Sequence, residues 1–178
     1  MPVLAPGGRR KAPAVRELTR LAALPMAAAA LALPPPSSAQ AARRTDEAAV
    51  IRAINAQRAA NGLPALRRDR SLTTLARAHS AHMVAHERFS HGAFGRRIAH
   101  TAWAHRRAHW AAGETLAWGT GALGTPDGVV AAWMQSPHHR RILLNRRYRV
   151  IGVGAVNGVP VGGARGQHGR TYTADFGS

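Results

Sequence analysis

The spacing of apolar positions divides the chain into a short series of elements. Val50, Ile51 and Ile54, with small residues between them, form an apolar stripe at helical spacing. Thr45, followed by Asp46 and Glu47, suits the start of that helix, because a hydroxyl caps free N–H groups and acids favour the positive end of the dipole. Asn61-Gly62 is a left-handed stop. Leu63, Pro64 and Leu66 link to a second helix, begun by Asp69 or Ser71, with Leu72, Leu75, Ala76, His79 and Met83 on one face. Residues 95–112, rich in Arg, His and Ala, read as loop and short helical turns. Gly113 to Gly119 alternates as a strand that places Glu114, Leu116 and Trp118 on one face. After a glycine loop, Thr125-Pro126-Asp127 opens a helix through Val129, Val130, Trp133 and Met134. Ser136-Pro137 stops it and restarts a short helix, Ser136 as cap and Pro137 in the first turn. That helix carries His138, His139 and Arg140 at its start. Val150 to Gly154 is a strand, Asn157-Gly158 a turn, Val159 to Gly169 a loop, and Thr171 to Phe176 a final alternating strand. Helices first, then strands interleaved with helices, predict an α+β domain with helices packed on a small antiparallel sheet.

Two features of this pattern bear on chemistry. His79, His82 and His86 fall at helical spacing and resemble a metal ladder, but His79 sits within the apolar stripe. The expectation is therefore one buried histidine with a hydrogen-bond partner and two at the edge of the helix. Glu114 shares a face with Leu116 and Trp118, and a carboxylate there is expensive to bury without a partner. A salt bridge to one of the many arginines is the plain alternative to a functional role.

Composition adds a strong sign. There are 25 basic residues against 8 acidic, a formal net charge of +17, and Lys11 is the one lysine. Such a surface favours anionic neighbours, either acidic envelope polymers or lipid headgroups. No stretch carries a groove-reading or aromatic-rich motif, so sequence-specific nucleic acid is not expected. With no cysteine, disulfides, thiolate metal sites and a cysteine nucleophile are excluded.

The amino-terminal segment has its own layout. Arg9, Arg10, Lys11, Arg16 and Arg20 precede an uncharged apolar run of 13 residues, Leu21 to Leu33, then Pro34-Pro35-Pro36 and the small-x-small pattern Ala39-Gln40-Ala41. This is the arrangement of a secretory signal peptide, and the run is short of the ~20 residues that span a bilayer. The expected organisation is a signal peptide over 1–41, cleaved after Ala41, and one domain over 42–178. Five basic residues and one acidic residue precede that point, leaving 20 and 7, a net charge of +13.

With these motifs laid out, the chain resembles the CAP superfamily of cysteine-rich secretory proteins, plant pathogenesis-related proteins and bacterial secreted SCP-like relatives. The resemblance covers about residues 48–177. It rests on Ile54-Asn55-Ala56-Gln57-Arg58, Gly62-Leu63-Pro64-Ala65-Leu66, Ala78-His79-Ser80, Phe89-Ser90-His91 and Gly113-Glu114-Thr115-Leu116-Ala117. It continues, in the same order, through Ala132 to Arg140, Ile151-Gly152-Val153-Gly154 and Asp175-Phe176-Gly177. The resemblance implies an α-β-α sandwich, with helices on both sides of the sheet. It also implies a cleft with two histidines and acidic residues, the histidines binding zinc in several members. Carried over by motif, these are His91, Glu114 and His139, with Ser136 at the second acidic position of eukaryotic members. His138, Ile142 and Thr115 depart from residues common in bacterial relatives.

Two neutral imidazoles and a carboxylate suit Zn²⁺, with water completing the site. The expected function is a secreted, monomeric binding module of the bacterial envelope or extracellular space, without strong catalysis. The alternative is a metal-dependent peptidase or esterase acting on envelope substrates, with Glu114 as base. A serine hydrolase built on Ser136, His139 and Glu114 is a poor third, because Ser136 lacks the strained elbow that exposes a nucleophile. His91 and His139 are expected to face each other across one pocket, with Glu114 beside them.

Overall fold

A computed structural model describes residues 37–162 and 168–178, and its centre is the strand Val150–Asn157, β3. The two sides of β3 differ in kind. Ile151, Val153 and Ala155 point to one side, where they pack with Val50 and Ile54 and with Val129, Val130 and Trp133. Gly152 and Gly154 point to the other, where a Cβ at either would collide with the backbone around Leu72 and Ala76. The absence of side chains there lets the helix Arg70–Ala85, α2, lie directly on the sheet. The opposite side is covered by the helices Ser38–Ala60, α1, and Pro126–Gln135, α5. Helices therefore cover both faces, as the resemblance implies.

The other strands are Arg67–Arg68, β1, Ala112–Thr120, β2, and Gly169–Gly177, β4, in the order β1-β3-β4-β2. The three long strands are antiparallel. The two-residue β1, absent from the sequence expectation, pairs parallel with β3. It is set there by Asn55 of α1, whose side chain accepts from the Leu66 N–H at 2.8 Å and donates to the Leu66 carbonyl at 3.1 Å. The amide thus stands in for a strand partner. Two short helices, Phe94–Ala99, α3, and Ala102–His105, α4, fill the predicted turn-rich region, and Pro137–Leu143, α6, follows α5.

Several helix ends follow the sequence reading. Asp69 caps α2 by accepting from Ser71 and Leu72, Thr125 caps α5 through the Gly128 N–H, and Gly62 takes a left-handed φ of 66° after α1. Two differ. The first helix is capped by Ser37 and begins at Ser38, so Thr45 lies inside it and its hydroxyl bonds back to the Ala41 carbonyl. The expected cleavage point after Ala41 is therefore within α1, while the basic and apolar parts of the predicted signal peptide lie outside the described residues. At Ser136, Pro137 does take the first turn of α6, but the serine makes no side-chain cap. Among the described residues no helix is long and apolar enough to cross a membrane.

Arg58 ties the α1 side together. Fully buried, its guanidinium donates to the carbonyls of Pro64 (3.0 Å), Leu143 (2.8 Å) and Asn145 (3.1 Å), closing the carboxyl end of α6 against α1. Burial, together with nearby Arg149, pushes its pKa down from the usual arginine value.

Candidate functional site

The site is assembled around Glu114, whose position on the edge strand β2 aims its carboxylate towards α2. Residues directly paired across strands share a face; Glu114 pairs with Asp175, and Asp175 with Gly152, the glycine under α2. From α2, His79 reaches within 4.0 Å of Glu114. It is buried, and its Nε2–H donates to the Ser90 carbonyl at 3.0 Å. His82 and His86 are exposed and stack on each other at 4.1 Å. The helical row of histidines is thus one satisfied interior residue and two surface ones, as the apolar stripe requires. Burial pushes the His79 pKa down, which keeps the ring neutral beside the carboxylate.

That bond to Ser90 shapes the chain as it leaves α2. The Ser90 hydroxyl accepts from the Gly92 N–H at 3.0 Å, and Gly92 turns with a φ of 51°. His91 is left at the tip of this turn, over Glu114. Its Nδ1 lies 2.8 Å from Glu114 Oε1. Arg97, one turn into α3, donates to the other carboxylate oxygen at 2.6 Å and to the His91 carbonyl at 2.6 Å. Both oxygens of Glu114 are therefore occupied. The salt bridge expected as the plain alternative exists, and it exists together with the histidine contact. With Nδ1–H donated to a carboxylate, the Nε2 lone pair of His91 is left for a ligand, and the side chain is 49% exposed.

Sequence reasoning missed Asp175. It is fully buried, and neither of its oxygens has a donor among the described residues. Burial, and then the charge of Glu114 beside it, push its pKa well above the usual carboxylate value. Two acceptors side by side are tolerable only when one carries a proton, which then bridges them; Asp175 is the one that keeps it. The signal was available: an acid between Ala174 and Phe176 in an apolar strand is the same anomaly that singled out Glu114. Arg97 offered no such signal among so many arginines.

His139 approaches from the other layer. It sits in the first turn of α6, half-buried, against exposed His138 at 5.6 Å between ring centres. Burial lowers its pKa first, then the charges of His138 and His91, which places His91 within electrostatic reach. Its imidazole is accordingly held neutral. Ser136, three residues before, is half-buried and makes no side-chain hydrogen bond to His139 or Glu114 among the described residues. A cavity of about 470 Å³ has His79, Ser90, Gly92 and Arg97 in its wall; His91, Glu114 and His139 do not line it, so the expected pocket shared by the two histidines is not this one. Among the described residues, no three side chains of His, Cys, Asp or Glu converge as a metal-holding group. The chemistry that does fit is two imidazoles, His91 oriented by a carboxylate and His139 held neutral by burial.

Comparison with known proteins matches residues 51–163 to the profile of the cysteine-rich secretory protein family, CAP. No curated protein matches the chain. Among solved structures, an outer surface protein from Borrelia burgdorferi is similar in fold at 22% identity and a TM-score of 0.60, with 76% of this chain and 93% of that one covered. An extracellular SCP-domain protein from Bacillus anthracis is 26% identical with a TM-score of 0.59, covering 82% of this chain and 44% of that one. A cysteine-rich secretory protein from Staphylococcus aureus is 18% identical with a TM-score of 0.56, covering 80% and 40%.

Proposed function

Because this chain belongs to the CAP family of cysteine-rich secretory proteins, we propose that it is an exported binding module whose cleft takes a divalent metal, Zn²⁺, between His91 and His139. The observation that carries this reading is the His91–Glu114–Arg97 arrangement. A histidine whose Nδ1 is tied to a buried carboxylate, itself tied to arginine, is fixed in ring orientation and tautomer. Nothing in simple packing requires a half-exposed imidazole to be held so firmly.

Each residue then has a part. His91 and neutral His139 supply nitrogen donors, with water filling the remaining positions. Glu114 orients His91 instead of ligating, since both its oxygens are taken. Arg97 fixes Glu114 and, through the His91 carbonyl, the backbone of the donor residue. Bound zinc would supply a fixed positive charge and Lewis acidity to an anionic or carbonyl-bearing ligand. Binding is favoured over hydrolysis because both oxygens of Glu114 are already engaged by Arg97 and His91, and Asp175 retains its proton. Export is supported by the signal-peptide layout of residues 1–41 and by relatives described as outer surface and extracellular proteins.

The test is calorimetric titration of the full chain with Zn²⁺, followed by incubation with envelope peptides and esters with and without chelator. One zinc per chain, at least tenfold weaker in His91→Ala and in His139→Ala, and no turnover is the expected result. Equal zinc affinity in the variants overturns the site; chelator-sensitive turnover overturns the non-catalytic assignment.

A further inference from the structure

The surface where α1, β1 and the start of α2 meet holds a cavity of about 550 Å³ lined by Arg44, Arg68, Arg70, Arg77, Thr73 and Thr74. Four guanidinium groups around one hollow are unfavourable unless something organises them. The organiser is Glu47, on α1, whose side chain is fully buried. Arg77 binds it with a two-pronged fork, Nε to Oε1 at 2.6 Å and Nη2 to Oε2 at 2.5 Å. Arg68 reaches the same carboxylate at 3.1 Å and lies 3.4 Å from the Thr73 hydroxyl. The bond to Glu47 raises the Arg77 pKa further, so its charge is permanent.

One carboxylate against four arginines leaves three positive charges uncompensated. The other acids on these elements are engaged elsewhere. Asp46 pairs with Arg170, and Asp69 caps α2 with one oxygen and faces Arg106 at 4.0 Å with the other. Arg44 and Arg70 have no ion-pair or side-chain hydrogen-bond partner among the described residues and are exposed. Two guanidiniums are thus locked in place by a buried anchor, each with N–H groups left over, while two more stand free at the rim.

We propose that this cavity is a binding site for a phosphate group, separate from the histidine cleft. The donor chemistry selects the ligand. A planar guanidinium fork matches the oxygens of a phosphate, several forks surrounding it satisfy more oxygens than a carboxylate possesses, and threonine hydroxyls add further donors. Glu47 acts as the positioning residue: it preorganises Arg68 and Arg77, so little side-chain freedom is lost on binding. The phosphate is either free in solution or the headgroup of an anionic lipid; the recognition chemistry is the same for both.

The experiment titrates the full chain at physiological salt with inorganic pyrophosphate and, separately, with phosphatidylcholine vesicles with and without phosphatidylglycerol. Arg44→Ala/Arg70→Ala is compared with Arg146→Ala/Arg147→Ala, which removes the same charge from exposed residues elsewhere on the surface. The expected result is at least a tenfold loss of binding in the first pair and less than a twofold loss in the second, with zinc affinity unchanged in both. Loss confined to pyrophosphate identifies a soluble phosphate, and loss confined to anionic vesicles identifies a lipid headgroup. Equal losses in the two pairs, or no binding of either probe by the unaltered chain, overturns the proposal. Glu47→Gln serves as the second variant: if folding is retained by circular dichroism, affinity falls even though the chain has become more positive. A gain in affinity there would show bulk charge, not a built site.

Discussion

Glu114 and Asp175 lie directly opposite one another on antiparallel β2 and β4, on the same buried face, where burial and the charge of Glu114 push the Asp175 carboxyl well above the usual carboxylate range. Glu114 has Arg97 and His91 as donors to its two oxygens; Asp175 has no donor among the described residues. The asymmetry is why Asp175 is the one that keeps a proton.

Stability should consequently fall as pH rises. Below about pH 4 both folded and unfolded chains hold the Asp175 proton, and its ionisation contributes no difference. Above that, the unfolded chain releases the proton while the folded chain resists, so folding is progressively disfavoured until the raised folded pKa is passed. Asp175→Asn, which keeps a hydrogen-bond donor without ionising, should stabilise the protein at pH 8 by roughly 0.5–2 kcal/mol. Urea unfolding at pH 5 and pH 8 measures it; an unchanged pH slope in the variant would falsify the raised Asp175 pKa.

The two carboxyls should also prove energetically coupled. Glu114→Gln alone leaves Arg97 without its anion, yet it also relieves Asp175. The cycle of Glu114→Gln, Asp175→Asn and the double variant should give an interaction energy of roughly 0.5–3 kcal/mol instead of simple additivity. Chemical denaturation of all four proteins decides the matter.

Metal binding should separate the histidines into two classes. His91→Ala and His139→Ala should abolish zinc uptake with the fold intact, whereas His82→Ala and His86→Ala should leave it unchanged, since those rings are exposed and stacked on each other. Because burial depresses the His139 pKa, that ligand stays unprotonated below the ordinary histidine value of about 6.5, and uptake should weaken only once the solution is more acidic than that. Zinc titrations between pH 5 and pH 7.5 read both effects.

Gly152 should tolerate no side chain. A Cβ there meets the backbone of α2 at Leu72 and Thr73, which cannot move without lifting the helix from the sheet. Gly152→Ala should therefore cost roughly 3 kcal/mol or more, at the upper end for an overpacked core. Thermal unfolding of the variant, if it accumulates as folded protein, supplies the number.

Arg58→Ala should destabilise by roughly 2–4 kcal/mol, because a buried charged donor serving several carbonyls is lost at once. Arg58→Lys should recover only part, since one ammonium cannot span the Pro64, Leu143 and Asn145 carbonyls in a plane. A full recovery by lysine would mean that charge, not fork geometry, holds α6 to α1.

The residues by themselves determined the elements and most of their ends. Apolar spacing placed α2 and α5, Asp69 and Thr125-Pro126 marked their starts, and Gly62 marked a stop, because caps and left-handed turns depend on neighbours a few positions away. The anomaly at Glu114 and the burial of His79 were legible for the same reason, each being a polar group at an apolar position of a periodic pattern. The start of α1 at Ser38 and the strand β1 were not, since one lies in a segment of weak pattern and the other is two residues held by Asn55. Only the tertiary structure chose Arg97 from 25 basic residues as the partner of Glu114, and only strand register set Asp175 against it. Local pattern reports that a buried charge needs compensation. Which group compensates it depends on how β2 registers against β4 and where α3 falls beside them, and contacts between residues so far apart in the chain leave no periodic trace in it.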